Sequence, residues 1–353
     1  MDDELDASGW RCALPGAAPR TVQMGHGSGG RMMSELISTL FQRHFSNPFL
    51  DALDDGATLP APAGRLVYST DSYVVDPLFF PGGNIGDLAV NGTINDLCMC
   101  GATPLYLSAG FIIEEGFPLD ELEQIVHSMA EAARGANTLI VSGDTKVVDK
   151  GKADRLFINT SGIGVLSIQH AMGSHHLRRG DAILLSGPIG DHGMAVLSQR
   201  QDLGFSSTLR SDTAALHEMS AALLRACGEA VHALRDPTRG GLAAVLNEFA
   251  RASHVAIELQ EAAIPVRPQV AAACDVLGLD PLYIANEGKM VVVVAAERAQ
   301  AALDVLRGDP LGAAAERIGE VCAGNPGQVS MHTPLGGWRI IDQPYSDPLP
   351  RIC

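Results

Sequence analysis

Four aspartates stand beside glycine or another small residue at the ends of apolar segments: Asp55 in DDGA, Asp71 in STDSY, Asp96 in TINDL and Asp144 in SGDTK. Carboxylates so placed can converge on Mg2+, which takes one or two per ion and completes its shell with water and phosphate oxygens. Any one of them alone reads as readily as a cap or a turn residue. Asp96 says most, because its helix is otherwise apolar and a buried, unpaired carboxylate is costly.

Three glycine-bearing loops are candidates for phosphate. GHGSGG at residues 25–30 formally fits a dinucleotide fingerprint, but the strand before it is short and no acid follows at the required distance. GPIGDHG and DPTRGG each open a helix, where backbone N–H groups and the helix dipole favour an anion, and Asp236, Arg239 and Gly240 belong to the second. Helix N-termini are common, so each loop is as readily structural. His26 and His192 sit in two of these loops, and His175 and His176 fall in a polar connecting stretch. Lys146 is expected in a loop after a buried strand, as a surface residue or a phosphate contact. In NEGK, Glu287 precedes the apolar run MVVVV and is either a turn residue or a poised base. Cys98 and Cys100 resemble half a metal site, but no second pair follows at zinc spacing, which favours core cysteines.

The sequence finishes DQPYSDPLPRIC, with Cys353 last. Three prolines favour an extended segment of roughly 3.1 Å per residue, which gives the thiol a long reach. Arg351 favours the Cys353 thiolate and the adjacent carboxylate opposes it. A prenylation signal of the usual form would need its cysteine fourth from the end.

These groups need a scaffold that brings distant segments together. Apolar patterning alternates strands with helices along all 353 residues, which predicts an α/β or α+β chain of two domains. Residues 1–20 read as an extension, 21–170 as an N-terminal domain, 171–341 as a second α/β domain and 342–353 as a flexible tail. The net charge of −16 disfavours general attraction to nucleic acid or anionic membranes. Seven scattered cysteines argue against a disulfide framework and for a reducing, cytoplasmic setting. The acidic start does not read as a signal peptide, and no run of 18 apolar residues occurs.

Taken in order, HGSGG, STDSYVVDPLFFPGGNIGDLAVNGTINDL, SGDTKVVDKG, LFINTSGIG, GDHG, LRDPTRGG, NEGK and PRIC resemble the HypE family, the carbamoyl dehydratases of nickel–iron hydrogenase maturation. The resemblance runs from about residue 21 to Cys353. It implies the two-domain PurM-like fold shared with aminoimidazole ribonucleotide synthetase, selenophosphate synthetase and thiamine-monophosphate kinase, with the N-terminal domain pairing in a homodimer around a β-barrel-like core. It further implies that Cys353 accepts a carbamoyl group from the carbamoyltransferase HypF. ATP then drives dehydration to a thiocyanate, and cyanide passes to iron on a HypC–HypD complex. Carried over residue by residue, Asp55, Asp71, Asp96 and Asp144 would hold Mg2+ on ATP. Asn95, Asp236, Arg239 and Gly240 would line the nucleotide site, Lys146 would steady the transferring group, and Glu287 would be the base. Asp87 lies outside the shared pattern, as a fifth acid near the metal or a solvated helix-start residue. Two rivals remain at this level: a kinase of a free small molecule, and a non-enzymatic iron carrier using Cys98, Cys100 and Cys353.

Overall fold

The computed structural model describes residues 20–200, 209–343, 345, 349 and 351–353. A bent helical segment, α1 (Arg31–Leu36), a π turn over Ile37–Phe41 and α2 (Gln42–Phe45), precedes the first sheet. Strand β1 (Leu66–Tyr73) leads through the small pair β2 (Phe79–Phe80) and β3 (Gly83–Asn84) into helix α3 (Ile85–Met99). Then follow β4 (Ala102–Glu114), α4 (Leu119–Gly135), β5 (Leu139–Val148) and β6 (Leu156–Leu166). The sheet order is β1-β6-β4-β5, and the α4 crossover makes β4 and β5 its parallel pair.

Helix α3 is apolar on nearly every face because it is covered on both sides. One side lies on β1, β6 and β4, and the other meets α4 and elements of the second domain. Its start is fixed by reciprocal bonds: Gly86 N–H donates to Asn84 Oδ1 at 2.8 Å, and Asn84 N–H donates to Asp87 Oδ2 at 2.9 Å. Asp87 is therefore a half-buried capping residue, not a solvated one. Along β1, Ser69, Asp71 and Tyr73 turn towards the interior while Tyr68, Thr70 and Ser72 face outward, the two-residue period of a strand.

The second domain contains β7 (Ala182–Leu185), α5 (Asp191–Arg200), α6 (His217–Cys227), β8 (Val231–Arg235), α7 (Gly241–Ala252) and β9 (Ala256–Gln260). It continues through α8 (Pro268–Leu277), β10 (Val291–Val294), α9 (Ala299–Arg307), β11 (Glu316–Cys322), β12 (Val329–His332) and β13 (Trp338–Ile340). Its seven strands are ordered β13-β12-β9-β11-β7-β10-β8, with β12 and β9 parallel and the other pairs antiparallel. The four valines of β10 are buried on both faces, as an interior strand of a covered sheet requires.

One expectation about local structure fails. The segment holding Asp144 and Lys146 is not a loop: β5 runs on to Val148, paired with β4 as far as Glu114. The glycine-flanked composition misleads here because Gly143 is needed for close packing, a Cβ there standing 2.7 Å from the Ala109 carbonyl oxygen. Among the described residues, no helix is long and apolar enough to cross a membrane.

Candidate active site

Four elements meet around the last residue. Strand β1 supplies Asp71, and α3 supplies Asp96 one turn after Gly92. The turn before α7 supplies Asp236 and Arg239, and the segment before β10 supplies Glu287. These side chains, with Gly92 and Thr238, enclose a cavity of about 30 Å³ whose remaining wall is Cys353. The turn before α7 keeps its shape through Gly240 and Gly241, with φ of +75° and +62°. Such values disfavour residues with a Cβ, and one at Gly241 would lie 2.5 Å from the Leu282 carbonyl oxygen.

The tail does not hang free at its end. Val74 N–H donates to the Cys353 carbonyl at 3.1 Å, Asp76 N–H to that of Arg351 at 3.3 Å, and Leu349, Ile352 and Cys353 are buried. The guanidinium of Arg351 is directed away to Asp154 and to the Val74 carbonyl. Pro344, Pro348 and Pro350 lie outside the described residues.

Burial, reinforced by charge repulsion, governs the acids of this chamber. Glu287 is 2 % exposed and its Oε1 has no partner among the described residues. Burial first, then the nearby Asp236, Asp212, Asp71 and Asp96, push its carboxyl well above the usual range. Asp236 is pushed up to about 7 by burial and by Asp96. Asp96 is raised by burial despite the Ser69 hydroxyl, which donates to its Oδ2 at 2.6 Å. The shift favours the protonated form of Glu287, and positive charge entering the chamber would favour the carboxylate.

The other predicted residues do not join it within one chain. Asp55 is exposed in the loop after residues 50–52, and Asp144 and Lys146 pair at 2.7 Å on exposed β5. Asp55 and Asp144 border a different cavity of about 210 Å³, lined by apolar groups including Met33, Ile37, Phe41, Phe111 and Ile140. Since β1 and β5 are opposite edges of the sheet, Asp71 and Asp144 stand about three strand spacings, or ~14 Å, apart. Within a single chain the four aspartates therefore fall into two groups, Asp71 and Asp96 at the chamber and Asp55 and Asp144 at the second cavity. No three His, Cys, Asp or Glu side chains among the described residues come together as a metal-holding group.

Asn95, expected at the nucleotide site, bonds within the protein. Its Nδ2 donates to the carbonyls of Ala214 and Glu287 at 3.0 and 3.1 Å, and its Oδ1 accepts from Leu216 N–H at 2.8 Å. It ties α3 to the second domain. Gly240 contributes backbone shape. His26 is buried and accepts from Gln23 N–H at 2.9 Å, closing a turn. Cys98 is a core cysteine whose thiol burial pushes up to about 12.

Asp212 escaped the sequence reading. It accepts from the N–H groups of Glu287 at 3.1 Å and Gly288 at 3.3 Å, and it pairs with Lys289 at 3.0 Å. Burial alone would raise it, but Lys289, His192 and the Glu287 N–H outweigh that and hold it below the ordinary carboxylate range. A lysine at the head of a buried valine strand signals that some carboxylate must meet it. Nothing local says that the acid lies 77 residues away.

Comparison with known proteins defines the class first. Residues 53–166 match the N-terminal domain of AIR synthase related proteins and residues 178–332 the C-terminal domain. The carbamoyl dehydratase HypE of Bradyrhizobium diazoefficiens is 53% identical over 332 residues, covering 94% of this chain and 96% of the relative. A crystal structure of hydrogenase maturation protein HypE in complex with ATP superposes with a TM-score of 0.91 at 52% identity, covering 94% of this chain and 99% of that one. The HypE of a HypE–HypF complex superposes at 0.77 with 48% identity, over 89% of this chain and 100% of that chain. The chain belongs to the HypE family of carbamoyl dehydratases, with the two-domain PurM-like fold.

Proposed function

We propose that this protein dehydrates a carbamoyl group carried on its own Cys353 to a thiocyanate, at the expense of ATP, and so supplies cyanide for hydrogenase maturation. The observation that carries the reading is the burial of Cys353 in one chamber with Asp71, Asp96, Asp236, Arg239 and Glu287. A carboxamide is a poor source of a leaving oxygen, and ATP supplies the phosphoryl group that makes that oxygen leave as phosphate. The balance is carboxamide plus ATP to thiocyanate, ADP and phosphate, with both N–H protons lost as the C–N triple bond forms.

The residues divide this work. Arg239 places positive charge in the chamber, where charge develops on the departing group. Glu287 presents the partnerless Oε1 for proton exchange with the amide, and Asp212 and Asn95 hold its backbone in place. The cavity at Met33, Phe41, Phe111 and Ile140 suits the apolar faces of a purine, with Asp55 and Asp144 at its polar side. A solved relative is in complex with ATP, which supports ATP as the ligand. The acidic pairs have the hard oxygen donors that Mg2+ takes alongside phosphate, and the mutual repulsion around Glu287 is what a divalent cation would relieve.

The separation of the two pairs supports a homodimeric unit. The outward face of the first sheet leaves Leu66, Tyr68 and Ile112 exposed at 59%, 65% and 46%. That is a surface for a second copy, and pairing there would bring the Asp144–Lys146 edge of one protomer towards the chamber of its partner. The complex of a relative with HypF supports HypF as the carbamoyl donor, and HypC–HypD is the proposed acceptor of cyanide. For boundaries, we take 21–170 and 171–341 as the two domains and the reducing cytoplasm as the setting.

The test is the mass of the Cys353 peptide from protein carbamoylated by HypF, before and after MgATP, with Cys353→Ala as control. Loss of one water only with MgATP is the expected result. A carbamoyl adduct that persists while ATP is consumed elsewhere would return the small-molecule kinase reading.

A further inference from the structure

His192, at the start of α5, is fully buried, yet it points to neither a phosphate site nor solvent. Its Nε2 lies 2.7 Å from the carbonyl oxygen of Ile352, the residue before Cys353. Its Nδ1 lies 2.8 Å from Ser211 Oγ. A carbonyl only accepts, so Nε2 carries the hydrogen, and Nδ1 accepts from the serine hydroxyl. The ring is also fixed edge-on to Phe80, with centroids 5.3 Å apart. Burial lowers the imidazole's affinity for a second proton, against the opposing effect of the Ile352 carbonyl, so the neutral tautomer suffices for this contact.

The same stretch of tail is gripped from the N-terminal domain as well. Val74 and Asp76 donate backbone bonds to Cys353 and Arg351, and Arg200, at the far end of the helix that carries His192, donates to the carbonyls of Asp76 and Arg351. Ser211 in turn donates its N–H to the Pro81 carbonyl at 2.7 Å. His192 is the side chain that bonds the residue next to the thiol.

We propose that His192 is a positioning residue that clamps the Ile352 carbonyl and so holds Cys353 in the acidic chamber, favouring dehydration there and opposing the thiol's access to other proteins. The proposal rests on the dehydratase reading only for its kinetic arm. A cysteine 9% exposed cannot enter another enzyme's active site, so whatever holds it in slows any modification from outside.

The experiment uses the full chain with His192→Phe, which keeps a ring against Phe80 without the donor, and His192→Gln, whose Nε2 can restore it. The first readout is the rate of iodoacetamide modification of Cys353, followed on its peptide by mass. Leaving the buried Ile352 carbonyl unpaired is expected to raise that rate roughly ten-fold in the phenylalanine variant, with the glutamine variant near wild type. The second readout separates clamping from general damage: carbamoylation of Cys353 should speed up in His192→Phe while single-turnover dehydration of the preloaded protein slows. Unchanged alkylation, or a parallel fall of both reactions that glutamine does not rescue, overturns the proposal. Absence of dehydration in the wild type would sink the functional reading alone, and the alkylation rates would still decide the clamp.

Discussion

Asn95 Nδ2 stands 3.1 Å from the carbonyl oxygen of Glu287, so the amide that follows the apolar centre of α3 directly orients the backbone of a chamber acid whose carboxyl burial pushes well above the usual range. The same side chain satisfies Ala214 and Leu216, giving three internal bonds from one buried residue. Replacing it by leucine leaves three backbone groups unpaired between the domains. We expect Asn95→Leu to lose about 2–4 kcal/mol of stability, measured by urea denaturation, and to slow dehydration even where the protein is folded. An unchanged midpoint would remove Asn95 from the joint between the domains.

Asp87 gives a prediction in pH. Burial pushes its carboxyl up to about 7, in spite of the Asn84 N–H and the Thr213 hydroxyl. In the unfolded chain an aspartate titrates near ~3.9. Between those values the folded protein holds a proton that the unfolded chain has lost, so this group's contribution to stability is full below about pH 4 and falls away as pH rises through about 7. Asp87→Asn keeps an oxygen for Asn84 N–H and never ionises. The variant should match the wild type near pH 4 and exceed it by on the order of 2–4 kcal/mol at pH 8, read from denaturant midpoints at the two values. A gain of equal size at both would show that charge is not the cause.

The fold class was legible because periodicity is local. The valines of β10, the amphipathic face of α4 and the apolar body of α3 each announce their element within a dozen residues. The ordered motifs then point to the family. What composition obscured was β5, where glycine beside aspartate reads as a turn yet serves close strand packing. The chamber was half legible. Asp71, Asp96, Asp236, Arg239, Glu287 and Cys353 were all singled out and they line one cavity. Asp55, Asp144 and Lys146 were grouped with them and lie apart within one chain, because a motif gives residue types without saying which edge of a sheet they occupy. Asp212 and the His192 contact were not found at all. Their partners lie 75–77 and 160 residues away, and no local pattern encodes such pairings.

Gly92 offers a test of packing at the chamber wall. A Cβ there would lie 2.2 Å from the hydroxyl oxygen of Tyr73, a side chain only 1% exposed. Gly92→Ala should therefore cost about 1–3 kcal/mol, with loss of dehydration as Tyr73 is driven towards Asp71 and Glu287. Tyr73→Phe removes the clashing atom. The double variant should regain more than half of the lost stability, a non-additivity that a general preference for glycine in this helix would not produce.

The last prediction addresses the two separated acidic pairs. If the homodimer places Lys146 of one protomer beside Cys353 of the other, two individually inactive proteins should complement each other. In a mixed dimer of Lys146→Met and Cys353→Ser chains, one composite site carries both substitutions and is dead. The other combines the intact Lys146 of the serine chain with the intact Cys353 of the methionine chain. Up to half of the wild-type activity per dimer should return in that species, measured as water loss from the Cys353 peptide. If each chain instead completes its own site, every site in the mixture lacks one group and no activity returns. The ~14 Å between β1 and β5 argues for complementation, since a lysine held by Asp144 at one sheet edge cannot also serve a thiol docked beyond the other.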